Sequence, residues 1–198
     1  MNNRSRNLKT LVLGAILAAV TLVLGMTPMG IIPLGFINVT IMCIPVVVGT
    51  VCCGLKVGLI LGAAFGIASA CSAFGVSLVP TSALVSLLMA ESPYQVVLMC
   101  LVPRLLLPVV VHLVYQGFAK KSEKLGKVGV SVAAAAGSLT NTVLYLGIML
   151  LLFWANGLDS TKVLAVIGGT GAIAGSLEAV AAAVICYPVV FAVQGKKR

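Results

Sequence analysis

The chain has 198 residues, 61% of them hydrophobic and 9% charged, with a formal net charge of +9; its mean hydropathy is +1.19. A soluble domain carries about 25% charged residues to cover its surface, so a water-soluble globule is excluded, and so is a disordered chain. Apolar stretches of helical length between short polar loops leave an α-helical membrane protein. At roughly 20 residues per crossing, the length allows about six spans and no second, soluble domain.

The basic segment MNNRSRNLKT (1–10) precedes an apolar stretch, Leu11–Met26, that no A-x-A site follows, so it reads as a retained first helix. This stretch carries GAILAA, in which Gly14 and Ala18, and likewise Ala15 and Ala19, stand four apart. Small residues at that spacing make a flat stripe that another helix can approach closely. The next segment, TPMGIIPLGFIN (Thr27–Asn38), is apolar but interrupted by proline and glycine, which suits a stiff lid over the outer mouth better than a helix. A second span is predicted over Val39–Gly54 with a kink at Pro45, and Lys56 marks a tight turn. The third span is Val57–Phe74, rich in Gly and Ala. The loop Gly75–Pro93 contains an apolar piece, Ala83–Ala90, too short to cross. The fourth span is Tyr94–Phe118, followed by the polar run Lys120–Lys127; the fifth is Gly129–Ala155; the sixth is Val163–Val193, before a KKR tail in 194–198.

With the N-terminus inside and six spans, the cytoplasmic segments hold Arg4, Arg6, Lys9, Lys56, Lys120, Lys121, Lys124, Lys127, Lys196, Lys197 and Arg198, which is eleven of the 13 basic residues. The outer loops keep only Lys162, and Arg104 lies inside a span. The positive-inside rule therefore predicts one six-helix domain (1–198) in the cell membrane with both termini cytoplasmic. The basic excess is topological, not a nucleic-acid footprint. Tyr94 and Trp154 fall at the outer interface, and Tyr115, Phe118, Tyr187 and Phe191 at the inner one.

No enzyme signature is present. The single histidine, His112, lies in an apolar helix, and neither G-x-S-x-G nor a P-loop occurs. GGTGAIAG (168–175) follows no strand, so close helix packing explains it better than a nucleotide loop. The six cysteines lie in apolar surroundings without a C-x-x-C pair, and neither a metal nor a cofactor is expected.

An ionisable group in a span costs roughly 2.5–3.5 kcal/mol on insertion scales, so each asks for a partner or a role. Arg104 lies ten residues in from Tyr94, Glu178 fifteen in from Val163, and Asn141 twelve in from Gly129 within the polar cluster Ser138-Thr140-Asn141-Thr142. Three helices thus place polar groups at similar depth, as a polar cavity requires. Arg104 either pairs with Glu178 or faces an anionic solute, since guanidinium matches a carboxylate in bidentate geometry. Glu178 either neutralises Arg104, bonds a hydroxyl or amide, or packs.

On residues 11–36, 44–69, 101–107 (LVPRLLL), 138–150 (SLTNTVLYLGIML) and 177–190, the chain resembles the substrate-binding S components of energy-coupling-factor (ECF) vitamin transporters. The pantothenate-type members look closest, from PMGIIPLGF, Pro103-Arg104 and the TNT around Asn141. The resemblance implies an S-component-like bundle of six helices, a site in the outer half and a first outer loop closing over it. It also implies an A-x-x-x-A stripe, matched by Ala15 and Ala19 with Gly14 and Ala18 beside it. That stripe docks on a transmembrane coupling subunit served by two cytoplasmic ATPases. Arg104 is then expected to hold a carboxylate, with Asn141, Thr140 and Glu178 around the polar body, Asn38 at the lid's inner edge and Trp154 at the mouth. The alternatives are a stand-alone secondary carrier or channel for a small solute, an S component for another vitamin or precursor, and a purely structural subunit.

Overall fold

The computed structural model describes residues 3–33, 38–120 and 123–195. Its element order is α1 (Asn3–Met26), β1 (Ile31–Pro33), β2 (Asn38–Thr40), α2 (Cys43–Cys53), α3 (Leu55–Ala73), α4 (Ala83–Glu91), α5 (Pro93–Ala119), α6 (Glu123–Ala155), α7 (Ser160–Val166), a π-helical turn (Ile167–Gly171) and α8 (Ala172–Gly195). The fold is an all-α membrane bundle. Among the described residues, five helices are long and apolar enough to cross: α1, α3, α5, α6 and α8.

The second expected crossing, Val39–Gly54, is met by a shorter apolar helix. The first residues of that stretch form β2, which pairs antiparallel with β1 (Ile31 opposite Thr40), and α2 that follows has 11 residues. At about 1.5 Å per residue α2 covers roughly 16 Å, half of a bilayer core. It compensates by being buried: Val46, Val47 and Val48 are shielded by α3, α5, α6 and α8. The kink expected at Pro45 is absent for a simple reason. Pro45 stands in the first turn of α2, where its missing N–H has no intrahelical acceptor to lose. The tight turn lies at Gly54 rather than Lys56: φ is +93° there, which favours glycine, and α3 starts at the next residue.

Other boundaries also moved. Most of the predicted polar run Lys120–Lys127 is helical, since α6 begins at Glu123, and the last helix includes Val163, because helical backbone runs from Ser160 through the π-helical turn into α8. The basic N-terminal segment is helical from Asn3. Residues 196–198 of the KKR tail lie outside the described residues.

Two clusters hold the bundle. The first joins α2 to Leu61 and Phe65 of α3, Leu107 and Val111 of α5, Ala133 and Ala134 of α6, and Ala182 and Cys186 of α8. The second joins α4 (Leu84, Leu88) to Val96 and Met99 of α5, Met149 and Phe153 of α6, and Val163 of α7. Along each shared helix, the residues that separate the two clusters in sequence include the polar ones: Arg104 on α5 and Asn141 on α6. Lipid tails give no hydrophobic drive between helices, so close approach of small residues matters most. A Cβ on Gly62 would lie 2.4 Å from the carbonyl oxygen of Arg104, so only glycine lets α3 touch α5 there. The GGTGAIAG segment packs as expected at two of its glycines: Cβ atoms on Gly171 and Gly175 would meet Leu146 and Thr142.

Candidate functional site

Arg104 stands between two prolines of α5, and this sequence explains its setting. Pro103 has no N–H to give the Met99 carbonyl four residues back. The freed carbonyl accepts from Arg104 Nη1 at 3.3 Å. The guanidinium carbon lies over two aromatic rings, Tyr145 of α6 at 4.4 Å and Phe65 of α3 at 5.2 Å from the ring centres. Both contacts are cation–π attractions that replace part of the lost hydration. Arg104 is 5% exposed, and its Nε has no hydrogen-bond partner. What remains unspent is the Nε–Nη2 edge, the side that grips a carboxylate with two parallel bonds.

Asn141 and Glu178 complete the polar group, in different states. Asn141 is buried and its Oδ1 has no hydrogen-bond partner. Glu178 has a partner at each oxygen: Oε1 accepts from the Thr40 backbone N–H at 2.5 Å and Oε2 from Thr142 Oγ1 at 3.1 Å. The Arg–Glu salt bridge that the sequence allows is not formed: Arg104 Nη1 donates to Met99 O, and Glu178 accepts from Thr40 and Thr142.

These residues line a cavity in which about 70 Å³ is open to the centre of a water-sized sphere. Its wall comes from β2 (Thr40), α3 (Ser69, Ser72), the start of α4 (Thr81, Ser82), α5 (Cys100, Arg104), α6 (Asn141, Thr142, Tyr145) and α8 (Glu178). A buried hollow with an unpartnered donor and an unpartnered acceptor is a candidate binding site, since such groups cost roughly 1–3 kcal/mol each when left without a partner.

Residues 9–190 match the model of the family described as ECF transporter, substrate-specific component. The chain belongs to that family. Among curated proteins none matches the sequence. As a substrate-specific component it is a multi-pass membrane protein of a transporter, and its family is one of substrate binders rather than enzymes.

The other predicted residues of this substrate-specific component fall in several places. Thr140 turns to its own helix, donating to Ala136 O at 2.7 Å, and does not line the cavity; Thr142 does. Trp154 is 77% exposed at the end of α6, a position suited to the membrane interface. Asn38 pairs through its backbone with Pro33, and its side chain lies outside the described atoms. On α1 the two small-residue stripes divide: Ala15 and Ala19 face outward, whereas Gly14 and Ala18 face the bundle, with Val57 Cγ1 3.1 Å from where a Gly14 Cβ would be.

The hydroxyl wall of Ser69, Ser72, Thr81 and Ser82 was not anticipated, nor was the Phe65–Tyr145 clamp. A signal existed for part of it. Phe65, Ser69, Ser72 and Ala73 form one helical stripe, and Asn141 and Tyr145 stand four apart on α6. Thr81 and Ser82 precede a short helix, and no periodicity reveals which way they face.

Proposed function

We propose that this chain captures a small carboxylate-bearing solute from outside the cell, pantothenate in preference, and delivers it to a transmembrane coupling subunit driven by two ATPases. The observation that carries the reading is the unspent Nε–Nη2 edge of Arg104 in a buried polar cavity, beside the unpartnered Oδ1 of Asn141. Arg104 takes the carboxylate, and Asn141 accepts from an amide N–H or hydroxyl. The hydroxyls of Ser69, Ser72, Thr81 and Ser82 suit a solute with further polar groups. Pantothenate has that pattern: a carboxylate, an amide and hydroxyls along one flexible chain. Among the sequence-selected residues, Trp154 and Asn38 belong to the mouth. The outward Ala15–Ala19 stripe is the docking face for the coupling subunit, with both termini cytoplasmic. No bond is made or broken in the solute; binding and reorientation are the whole task.

The test is a thermal-stability screen of the purified protein against water-soluble vitamins. A bound solute at 100 times its dissociation constant stabilises by about 2.7 kcal/mol. Stabilisation by pantothenate, and its loss in Arg104→Ala, is the expected result. No stabilisation by any carboxylate-bearing vitamin contradicts the proposal.

A further inference from the structure

Glu178 lines the cavity, and each of its carboxylate oxygens already accepts one hydrogen bond from the protein. Its Oε1 takes the backbone N–H of Thr40, a residue 138 positions away in the chain, and its Oε2 takes the Thr142 hydroxyl. Thr40 ends β2, which has β1 as its single strand neighbour. The N–H that Glu178 accepts lies on the open edge of this two-stranded ladder, and an unpaired backbone donor at membrane depth costs several kcal/mol. Thr40 is also held through its hydroxyl, which accepts from Met42 N–H at 3.1 Å just before α2. It is buried and forms part of the cavity wall. One carboxylate thus ties the outer hairpin to α8 and α6 at the point where hairpin and cavity meet.

We infer that Glu178 is a positioning residue: through the Thr40 N–H it fastens β2 as one wall of the cavity, and it sets how long a solute stays without touching it. The inference rests on the reading that the cavity holds the transported solute. What the fastening needs is an acceptor oxygen at full side-chain length, not a negative charge. Charge and reach can be separated by substitution. Gln keeps the length and an acceptor but loses the charge; Asp keeps the charge but is one methylene short.

The experiment uses the purified full chain and two readouts. The first is amide hydrogen exchange of the segment containing Thr40, without solute. Glu178→Ala and Glu178→Asp are expected to speed that exchange by about tenfold or more, and Glu178→Gln to leave it within about threefold of the parent. The second is the dissociation rate of pantothenate, expected to rise about tenfold in Ala and Asp but not in Gln. Arg104→Ala is expected to weaken pantothenate binding at least about thirtyfold and leave Thr40 exchange unchanged. Failure of the solute reading therefore leaves the first readout intact. Unchanged exchange in both Glu178→Ala and Glu178→Asp overturns the inference. So does a Gln variant as impaired as Ala, because then the charge is what matters.

Discussion

Helices α1 and α5 have almost the same mean hydropathy in their 18-residue apolar windows, 2.2 and 2.3, yet 11% of one window and 44% of the other is buried. Hydropathy alone therefore does not say which helix faces lipid or a partner and which faces a cavity. The difference lies in where each helix puts its exceptional residues. On α5 a guanidinium sits between two prolines, and the carbonyl freed by Pro103 helps to hold it. On α1 the exceptional residues are small ones, and the stripe splits between an inward and an outward face. A charge in the membrane demands an interior, whereas an alanine stripe leaves a surface open to another helix.

The comparison can be broken most forcefully at α5. Arg104→Ala should weaken solute binding by about 2–5 kcal/mol, at least thirtyfold, with the helical circular-dichroism spectrum unchanged. Titration calorimetry in detergent measures it. At α1, Ala19→Trp should abolish uptake in cells that carry the full transporter, while solute binding by the isolated chain stays within about threefold. Uptake equal to the parent would remove the outward stripe from the docking face.

Smaller effects sharpen the same contrast. Gly62→Val should lower stability by about 1–3 kcal/mol and weaken binding as well, because its side chain displaces α5 at Arg104 itself. Gly14→Leu should destabilise by a similar or smaller amount against Val57, whereas Ala15→Leu, one residue on, should stay within about 0.5 kcal/mol. Thermal unfolding of the purified variants reads all three. Equal losses at 14 and 15 would contradict the assignment of the two faces. Thr140→Val should change solute affinity least, by less than about twofold, since its hydroxyl is spent on Ala136 O.

Much of this was legible in the residues. Apolar length marked five crossings, and the intramembrane Arg104, Asn141 and Glu178 do meet at one cavity. What stayed hidden has physical causes. A central helix shielded on all sides can be half a bilayer long, so the apolar run 39–54 concealed a strand and an 11-residue helix. Pro45 could be a kink or a first-turn residue, and only the position of the helix start decides. Whether Arg104 pairs with Glu178 depends on competing donors, and Thr40 N–H on a distant hairpin is invisible to helical spacing. The hydroxyls at 81 and 82 lie where no period applies.

The central claim is that the free edge of Arg104 meets a solute carboxylate, and a binding cycle tests it directly. Pantothenate and its primary amide would be titrated into the parent protein and into Arg104→Ala. The account predicts that the acid binds the parent at least about thirtyfold more tightly than the amide, and that this preference disappears in the variant. Equal affinity of the parent for acid and amide, or a preference that survives the loss of Arg104, would contradict it.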